Sequence, residues 1–388
     1  MDFRLSSDQE SFVAEVRQFL DKELTPEAVE EVASEERMGP NAKAMLLKMA
    51  ERGWLSLHWP KDYYGGGRTA MERFLLTDEL AYRGAPGAAN SNTGGRIVAP
   101  TLIMFGTREQ CDRFLPPIAR GEIDFALGYT EPNAGSDLAS LEMRAELDGD
   151  QYTVTGTKFF NTACHYAEYH WLAVRTDPKT PKHKGISLMM VDLKSPGIEI
   201  KPIWTMAGDR TNAVHYDHVR VPKNNLLGEP GQGFYYMAKA LEFERMFVSG
   251  DLRRYYEQLL IELKKERAAG QDRLSDPRIR QTLAELAIEL HIVRLFTYRV
   301  AWSLTVGQSA GREASIVKLF KSELAQRMAR AGAQALGLYG QLEPDSPRTP
   351  MNGRAERYYL QSVSASITGG SSEVQRNVIA QRGLGLPR

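Results

Sequence analysis

The sequence predicts an α+β multidomain fold in which a helical region, a β-domain and a second helical region follow one another, and three changes of pattern say so. From Ser6 to about Arg120 apolar residues recur at three and four, as in Phe12, Val16, Phe19 and Leu20, the spacing of one buried helix face. From about Asp124 the period drops to two, the signature of strands. After Gly228-Glu229-Pro230-Gly231-Gln232-Gly233 the helical period returns and persists to the C-terminus. Domains are therefore expected at residues 1–121, 122–228 and 229–388.

Within the first region, Pro26, Gly39-Pro40, Gly65-Gly66-Gly67 and Pro86-Gly87 mark turns and helix boundaries. In the middle region Tyr152 and Val154 alternate with polar neighbours after the turn-like Asp148-Gly149-Asp150. HWLAV at 170–174, ISLMMVDL at 186–193, IEIKPIW at 198–204 and AVHYDHV at 213–219 continue the strand pattern. Gly, Pro and Asp separate these runs at a spacing of about a dozen residues, with no helix between them. That arrangement predicts an antiparallel sandwich or barrel, because parallel strands need crossovers.

The chain has 388 residues, 42% of them hydrophobic, enough for a large core in two or three domains. Its 49 Lys plus Arg balance 49 Asp plus Glu. A nucleic-acid binder carries a basic stripe to displace counterions, so neutrality argues against that class and against a surface that rides on anionic lipid. Two cysteines, Cys111 and Cys164, exclude a disulfide framework and a cysteine-based zinc site. The start MDFRLSSDQE lacks a basic and apolar signal region, and no apolar run approaches the roughly 20 residues that cross a bilayer. The sequence reads as a soluble cytoplasmic protein without membrane insertion.

Four segments could carry chemistry. In YTEPNAGSD, Tyr129 to Asp137, Pro132, Asn133, Gly135 and Ser136 form a turn whose small residues let backbone amides and the Ser136 hydroxyl approach an anion or a flavin edge; a plain connector is the other reading. In GTKFFNTACHYAEY, Gly156 to Tyr169, one ring of Phe159-Phe160 could meet a planar cofactor with Thr162 bonded to it, although a strand phenylalanine is ordinarily core. His165 and His170 lack metal-ligand spacing and read as ordinary polar residues.

The third segment is a helix laid over 234–252. Phe234, Met237, Leu241, Val248 and Leu252 form one apolar stripe, and Glu244 falls inside it with Ala240, Leu241, Phe247 and Val248 as its helical neighbours. A carboxylate buried without a local cation has a raised pKa, as a general base near neutral pH requires; an ion pair with another element is the competing reading. In the fourth segment, ITGGSSEVQRNVIAQRGLGLPR, Gly369, Gly370, Ser371 and Ser372 precede an apolar-periodic helix with Glu373 in its first turn. This is an N-terminal cap and a possible phosphate cradle.

Taken together, YTEPNAGSD, TGTKFFNT, NAVHYDHVRVPKNNLLGEPGQGF and GGSSEVQRNVIAQRGLGLPR resemble, in this order and separation, the flavin-dependent acyl-CoA dehydrogenase family. The resemblance runs the whole chain. It implies an N-terminal helical domain, a middle β-domain and a C-terminal four-helix bundle, assembled as a homotetramer with FAD between domains and across a subunit interface. It also implies α,β-desaturation of an acyl-CoA substrate: a carboxylate takes the α-proton, the β-hydrogen leaves as hydride to flavin N5, and electrons pass to an electron-transfer flavoprotein.

The resemblance assigns residues one by one. Tyr129, Thr130 and Ser136 match the turn around the flavin ring, Ser136 also facing the thioester. Phe160 stands where relatives often have Trp, and Thr162 where a hydroxyl meets N5. Ser371, Ser372, Glu373 and Gln375 match the helix start that holds the dinucleotide. Gln334 to Gly340, including Gly337, resembles the segment that reaches a neighbouring subunit's FAD. Gly369 stands where many relatives carry the catalytic Glu, so no base comes from there, but its backbone amide matches the one that grips the thioester oxygen. A smaller group of relatives, including those acting on branched, long or steroid side-chain thioesters, carries the base in a segment like LDLER. Here LEFER, Leu241 to Arg245, places Glu244 in that slot and Arg245 beside it as a substrate-binding residue. The expected base is Glu244.

One departure concerns the adenine end. Relatives often show Arg-x-Gln-Phe-Gly after the first C-terminal helix, whereas this chain reads RAAGQDRLSDPRIRQ, Arg267 to Gln281. Either Arg267 or Arg273 holds the adenine differently, or the oligomer differs, and a heterotetramer stays open. The alternative function is a family member without dehydrogenase turnover, either a structural subunit of a heteromer or a flavin oxidase or monooxygenase on the same fold.

Overall fold

The computed structural model describes residues 3–34, 36–88, 91–244 and 247–387, without the side chains of 242–244. Helices come first: α1 Ser7–Glu23, α2 Pro26–Ala33, α3 Pro40–Glu51, α4 Ala70–Arg83, α5 Ala99–Phe105 and α6 Arg108–Ala119. Strands follow as β1 Phe125–Gly128, β2 Arg144–Asp148, β3 Gln151–Lys158, β4 Tyr169–Arg175, β5 Ile186–Asp192, β6 Ile198–Trp204 and β7 Arg210–Pro222. Then come α7 Gly233–Glu244, α8 Gly250–Ala268, α9 Pro277–Thr305, α10 Gly311–Leu336, α11 Arg354–Ala365 and α12 Ser372–Val378. Local chemistry sets several starts. Thr25 caps α2 ahead of Pro26, Thr107 and Gln110 form a reciprocal box on α6, and Asp276 caps α9 ahead of Pro277.

The chain divides into two compact units, residues 21–73 with 85–244, and residues 1–20 with 74–84 and 245–388. The first, the sheet unit, holds all seven strands in one sheet. Its order is β1-β4-β2-β3-β7-β6, with β5 along the other edge of β4. One face takes Trp171, Ala173, Ile186, Leu188 and Met190 and packs on Val98, Leu102, Phe114 and Met237. The opposite face takes Leu172, Val174, Met189 and Val191 with Val154, Val214 and Tyr216. Both sides of β4 and β5 are therefore buried, which is why they read as near-continuous apolar runs. β6 is an exposed edge strand and tolerates Pro202 there.

The sheet is mixed. β2–β3, β3–β7, β7–β6 and β4–β5 pair antiparallel, but β1 runs parallel to β4, Phe125 facing Tyr169, and Arg144 of β2 meets Arg175 of β4 in parallel. No helix is needed for the crossover, because the β2–β3 hairpin and its flanking loops carry the chain back. Gly149, at φ +63°, makes the hairpin's tight turn.

In the helical unit, Leu252, Tyr255, Leu286, Val293, Leu324 and Met328 form one core cluster, and Leu259, Leu263, Leu283 and Leu336 a second. α8 begins where it does because Asp78 of α4 accepts the amides of Ser249 (2.9 Å) and Gly250 (2.8 Å), a cap supplied from another element. Gly250 is obligatory at this approach, since a Cβ would lie 2.1 Å from the Asp78 carbonyl oxygen. This corrects the single helix expected over 234–252. α7 closes at Glu244, residues 247–249 are not helical, and α8 starts afresh. Of the helical neighbours assigned to Glu244, Ala240 and Leu241 remain on α7, whereas Phe247 and Val248 lie outside it.

Candidate active site

In the sheet unit the YTEP turn leaves the end of β1. Glu131 N donates to Ala134 O at 3.0 Å and Ala134 N to Glu131 O at 3.2 Å, closing a tight turn that leaves Ser136 exposed at its outer end. Tyr129 is buried and Thr130 half-buried, the Thr130 carbonyl accepting Phe159 N at 2.9 Å. Beyond the turn, Lys182 Nζ donates to Ser140 Oγ (2.7 Å) and lies 3.2 Å from Asp137 Oδ2. Lys179 and Lys184 share that loop with Lys182.

The turn is locked from beneath by a pair the residue patterns had hidden. Lys158 Nζ lies 2.8 Å from Glu131 Oε1 and 3.1 Å from Tyr129 O, with no part of Lys158 exposed. Glu131 also accepts Glu142 N (2.6 Å) and Met143 N (3.0 Å). Burial, opposed by Glu131, holds the Lys158 ammonium below the ordinary lysine range. A signal was available. Period two from Tyr152 and Val154 carries Lys158 onto the same buried face, and a buried lysine needs a carboxylate.

At the end of β3 the chain makes a second turn. Phe160 sits at φ +56° and is 61% exposed, so it is not the core ring ordinarily expected of a strand. Asn161 holds this conformation: its N–H donates to Asn212 O at 2.9 Å and its Nδ2 to Phe159 O at 2.8 Å. Asn212 Nδ2 donates to Asn161 O at 2.9 Å and also meets His165 Nδ1 at 3.0 Å. His165 is thereby more than an isolated polar residue, since its Nε2 reaches Glu36. Thr162 Oγ1 lies 3.5 Å from Thr211 Oγ1, and Asn161 Oδ1 is buried with no hydrogen-bond partner among the described residues.

In the helical unit the tail forms the expected cap. Ser371 Oγ accepts Val374 N at 3.3 Å and α12 begins at Ser372. Glu373 is exposed in the first turn, and its carboxyl is held low by hydrogen bonds from its own backbone amide and from Ser371. Gln375, wholly buried, donates Nε2 to Gly369 O (3.1 Å) and Gly370 O (3.4 Å). Gly369 (φ +67°) and Gly370 (φ +93°) need the left-handed region; around Gly369 the space is open, whereas a Cβ on Gly370 would strike Gln375 Nε2 at 2.6 Å. Ser372 Oγ and Gln375 Oε1 are buried without hydrogen-bond partners among the described residues. Within the helical unit these two orphaned groups, a hydroxyl that can donate or accept and an amide oxygen, suit a polar ligand. Within the sheet unit the orphaned Asn161 Oδ1 and the exposed Phe160 ring suit a planar ligand that carries a donor, so each set by itself has the chemistry to meet part of a flavin dinucleotide.

Gln334 lies exposed in the last turn of α10, and the 3₁₀ turn Gly337–Gln341 follows. Gly337 has φ +60° and leaves room for Arg273, whose Nη1 would lie 2.8 Å from a Cβ there; Gly340 is buried against Ala333. Arg273 pairs with Glu266 at 2.9 Å and Arg267 with Asp272 at 3.3 Å. Of the two candidates for an adenine contact, Arg273 is thus the one beside the Gln334–Gly340 segment. Glu244 is the last residue of α7 by its backbone; its side chain and the whole of Arg245 lie outside the described residues. No group of three or more His, Cys, Asp or Glu able to hold a metal occurs among the described residues, nor any helix long and apolar enough to cross a membrane.

Family models match nearly the whole chain: acyl-CoA dehydrogenase N-terminal domain over residues 6–122, middle domain over 126–219 and C-terminal domain over 231–384. The acyl-CoA dehydrogenase FadE26 of Mycobacterium tuberculosis is 37% identical over 98% of this chain and 97% of its own length. Among solved structures, the Tcur3481-Tcur3483 steroid ACAD superposes with a TM-score of 0.91 at 34% identity, covering 100% of both chains. The ChsE4-ChsE5 complex from Mycobacterium tuberculosis gives 0.89 at 36% identity, also over 100% of both chains.

Proposed function

The chain belongs to the acyl-CoA dehydrogenase family, with that family's helical, β and helical domains, and from this premise we propose that it is an FAD-dependent enzyme that desaturates an acyl-CoA thioester between its α and β carbons. The observation that carries the reading is the pair of prepared turns, each fixed by buried amides. One presents Phe160 and Thr162 on the Asn161–Asn212 bonds; the other presents Gly369 on Gln375.

Glu244 is the base that takes the α-proton. Its support is the LEFER segment and the absence of any carboxylate at Gly369, not a side-chain geometry. The Gly369 N–H, beside open space, holds the thioester oxygen as negative charge develops there, so donor strength is spent where the transition state needs it. Tyr129, Thr130, Ser136, Phe160 and Thr162 surround the ring, Ser136 and Arg245 contact the substrate, and Ser371, Glu373 and Gln375 hold the dinucleotide, with Gln334, Gly337 and Gly340 at the partner's adenine end. FAD, when bound, supplies the two-electron acceptor that takes the β-hydrogen as hydride. An electron-transfer flavoprotein then reoxidises the enzyme.

Likeness to the Tcur3481-Tcur3483 steroid ACAD favours a bulky, steroid side-chain thioester, and likeness to the ChsE4-ChsE5 complex favours a heteromer over the homotetramer. That complex also supports a second reading, in which this chain is the structural subunit and turnover needs a partner chain. Anaerobic mixing of the FAD-loaded protein with short, long, branched and steroid side-chain thioesters tests both. Bleaching of the flavin band by one class supports the dehydrogenase reading; no bleaching by any thioester, alone or with a partner chain, contradicts it.

A further inference from the structure

We propose that the helical unit carries an anion site centred on Arg254 and Arg354, built to take the oxyanion of a carboxylate or phosphate group. Three elements converge on it. Arg254 and Gln258 stand one turn apart on the same face of α8. Arg354, at the start of α11, donates Nη1 to Gln258 Oε1, which brings the second guanidinium to that face. From the end of α4, Gly84 (φ +71°) lies flat against Arg254: a Cβ there would be 1.6 Å from Nη1 and 2.6 Å from Cζ. Only glycine leaves room for this guanidinium.

Neither arginine has a carboxylate partner among the described residues. Among the described residues Arg254 makes no hydrogen bond or ion pair, and Arg354 bonds Gln258 alone. The acids that could serve are engaged elsewhere: Asp251 with Lys321 (2.9 Å), Glu257 with the Tyr82 hydroxyl (2.6 Å) and Glu79 with Arg17 (2.7 Å). The local field is positive in consequence. Burial first, then the charges of Arg354 and Arg83, pushes Arg254 down to about 10, and burial lowers Arg354 as well.

Half-buried like charges with no counter-ion are unfavourable, and an anion between them removes the cost on both sides at once. The planar, multi-donor guanidinium matches carboxylate and phosphate oxygens two at a time, with Gln258 Nε2 a further donor from the same face. The site lies within the helical unit and does not depend on the flavin chemistry above.

The test is calorimetric and thermal-shift titration of the FAD-loaded protein with inorganic phosphate and with glutarate, each against sodium chloride at matched ionic strength. Saturable binding of either beyond chloride, weakened about tenfold or more by both Arg254→Gln and Arg354→Gln, is expected, as the loss of one bidentate pair would give. Preference for phosphate or for glutarate then tells an inorganic or nucleotide source from an organic acid. Absence of saturable binding by both anions, or binding unchanged in the two variants, overturns the proposal. Arg254→Lys retains charge without the fork and serves if a glutamine variant fails to fold, with intermediate affinity expected and unchanged affinity counting against the site.

Discussion

Asn212 gives its side-chain amide to the carbonyl of Asn161 at 2.9 Å, and Asn161 returns its backbone N–H to the carbonyl of Asn212 at the same distance. The reciprocal pair lies directly beside Phe160 and, with the Thr162 N–H donated to Phe160 O at 3.1 Å and Asn161 Nδ2 donated to Phe159 O, holds its positive φ; it hangs in turn on His165. A turn held this way presents its ring and the Thr162 hydroxyl in one arrangement rather than many, which lowers the ordering cost of binding a planar ligand.

Asn212→Ala removes that brace and leaves the Asn161 carbonyl unmet, a loss of roughly 1–3 kcal/mol for a buried group. FAD affinity is expected to fall about tenfold or more, by the arithmetic of 1.4 kcal/mol per decade. Fluorescence titration of the apoprotein with FAD measures it, and an unchanged Kd would show that the turn orders without Asn212.

The Lys158–Glu131 pair is a matter of stability first. Replacing one partner leaves the other charge buried alone, so Glu131→Ala is expected to cost about 3–5 kcal/mol. Glu131→Ala with Lys158→Met should recover part of that loss. Urea midpoints of the single and double variants decide it; a single variant as stable as the wild type would mean that the pair is solvated.

Burial, and next the charge of Lys158, pushes His170 down to about 3. The unfolded chain titrates near 6.5, so between those values it binds a proton that the folded chain does not. The stability this residue contributes is complete above roughly pH 6.5 and is lost as the pH falls toward 3, about 2 kcal/mol of it between pH 7 and pH 5. His170→Gln should flatten the pH dependence of unfolding across that interval by this amount. His58, also lowered by burial, acts in the same direction and remains. An equally steep profile in the variant would contradict the assignment.

Gly370→Ala meets two obstacles, a φ of +93° and the Gln375 amide 2.6 Å from the new methyl. Strain of about 1–3 kcal/mol is expected, and with it displacement of Gly369. Stopped-flow bleaching by a reactive thioester should slow about tenfold or more while FAD is retained; bleaching at the wild-type rate would detach the Gln375–glycine lock from the thioester.

The helix, sheet, helix order was legible in the sequence because period and punctuation change together at about Asp124 and again at Gly233. The Ser371 cap was legible because it is a local motif. What local pattern could not supply is long-range pairing. The parallel registry of β1 with β4 joins residues 44 apart, Phe125 with Tyr169, through a hairpin rather than a helix. Nor could period alone locate the break after Glu244, since Val248 and Leu252 continue the apolar stripe numerically while Asp78, far earlier in the chain, starts α8 anew. The Asn161–Asn212 brace is of the same kind, two residues that carry no motif until β3 and β7 pair.

Glu244 stands in LEFER, and the tail offers glycine where many relatives have a carboxylate. Glu244→Gln keeps the size of the side chain and removes its basicity, so the variant should hold FAD and acyl-CoA as the wild type does. Mixed anaerobically with a thioester that bleaches the wild-type flavin, it should leave the flavin band intact or slow its loss by about 10²–10⁴-fold. Bleaching at the wild-type rate would place the base elsewhere.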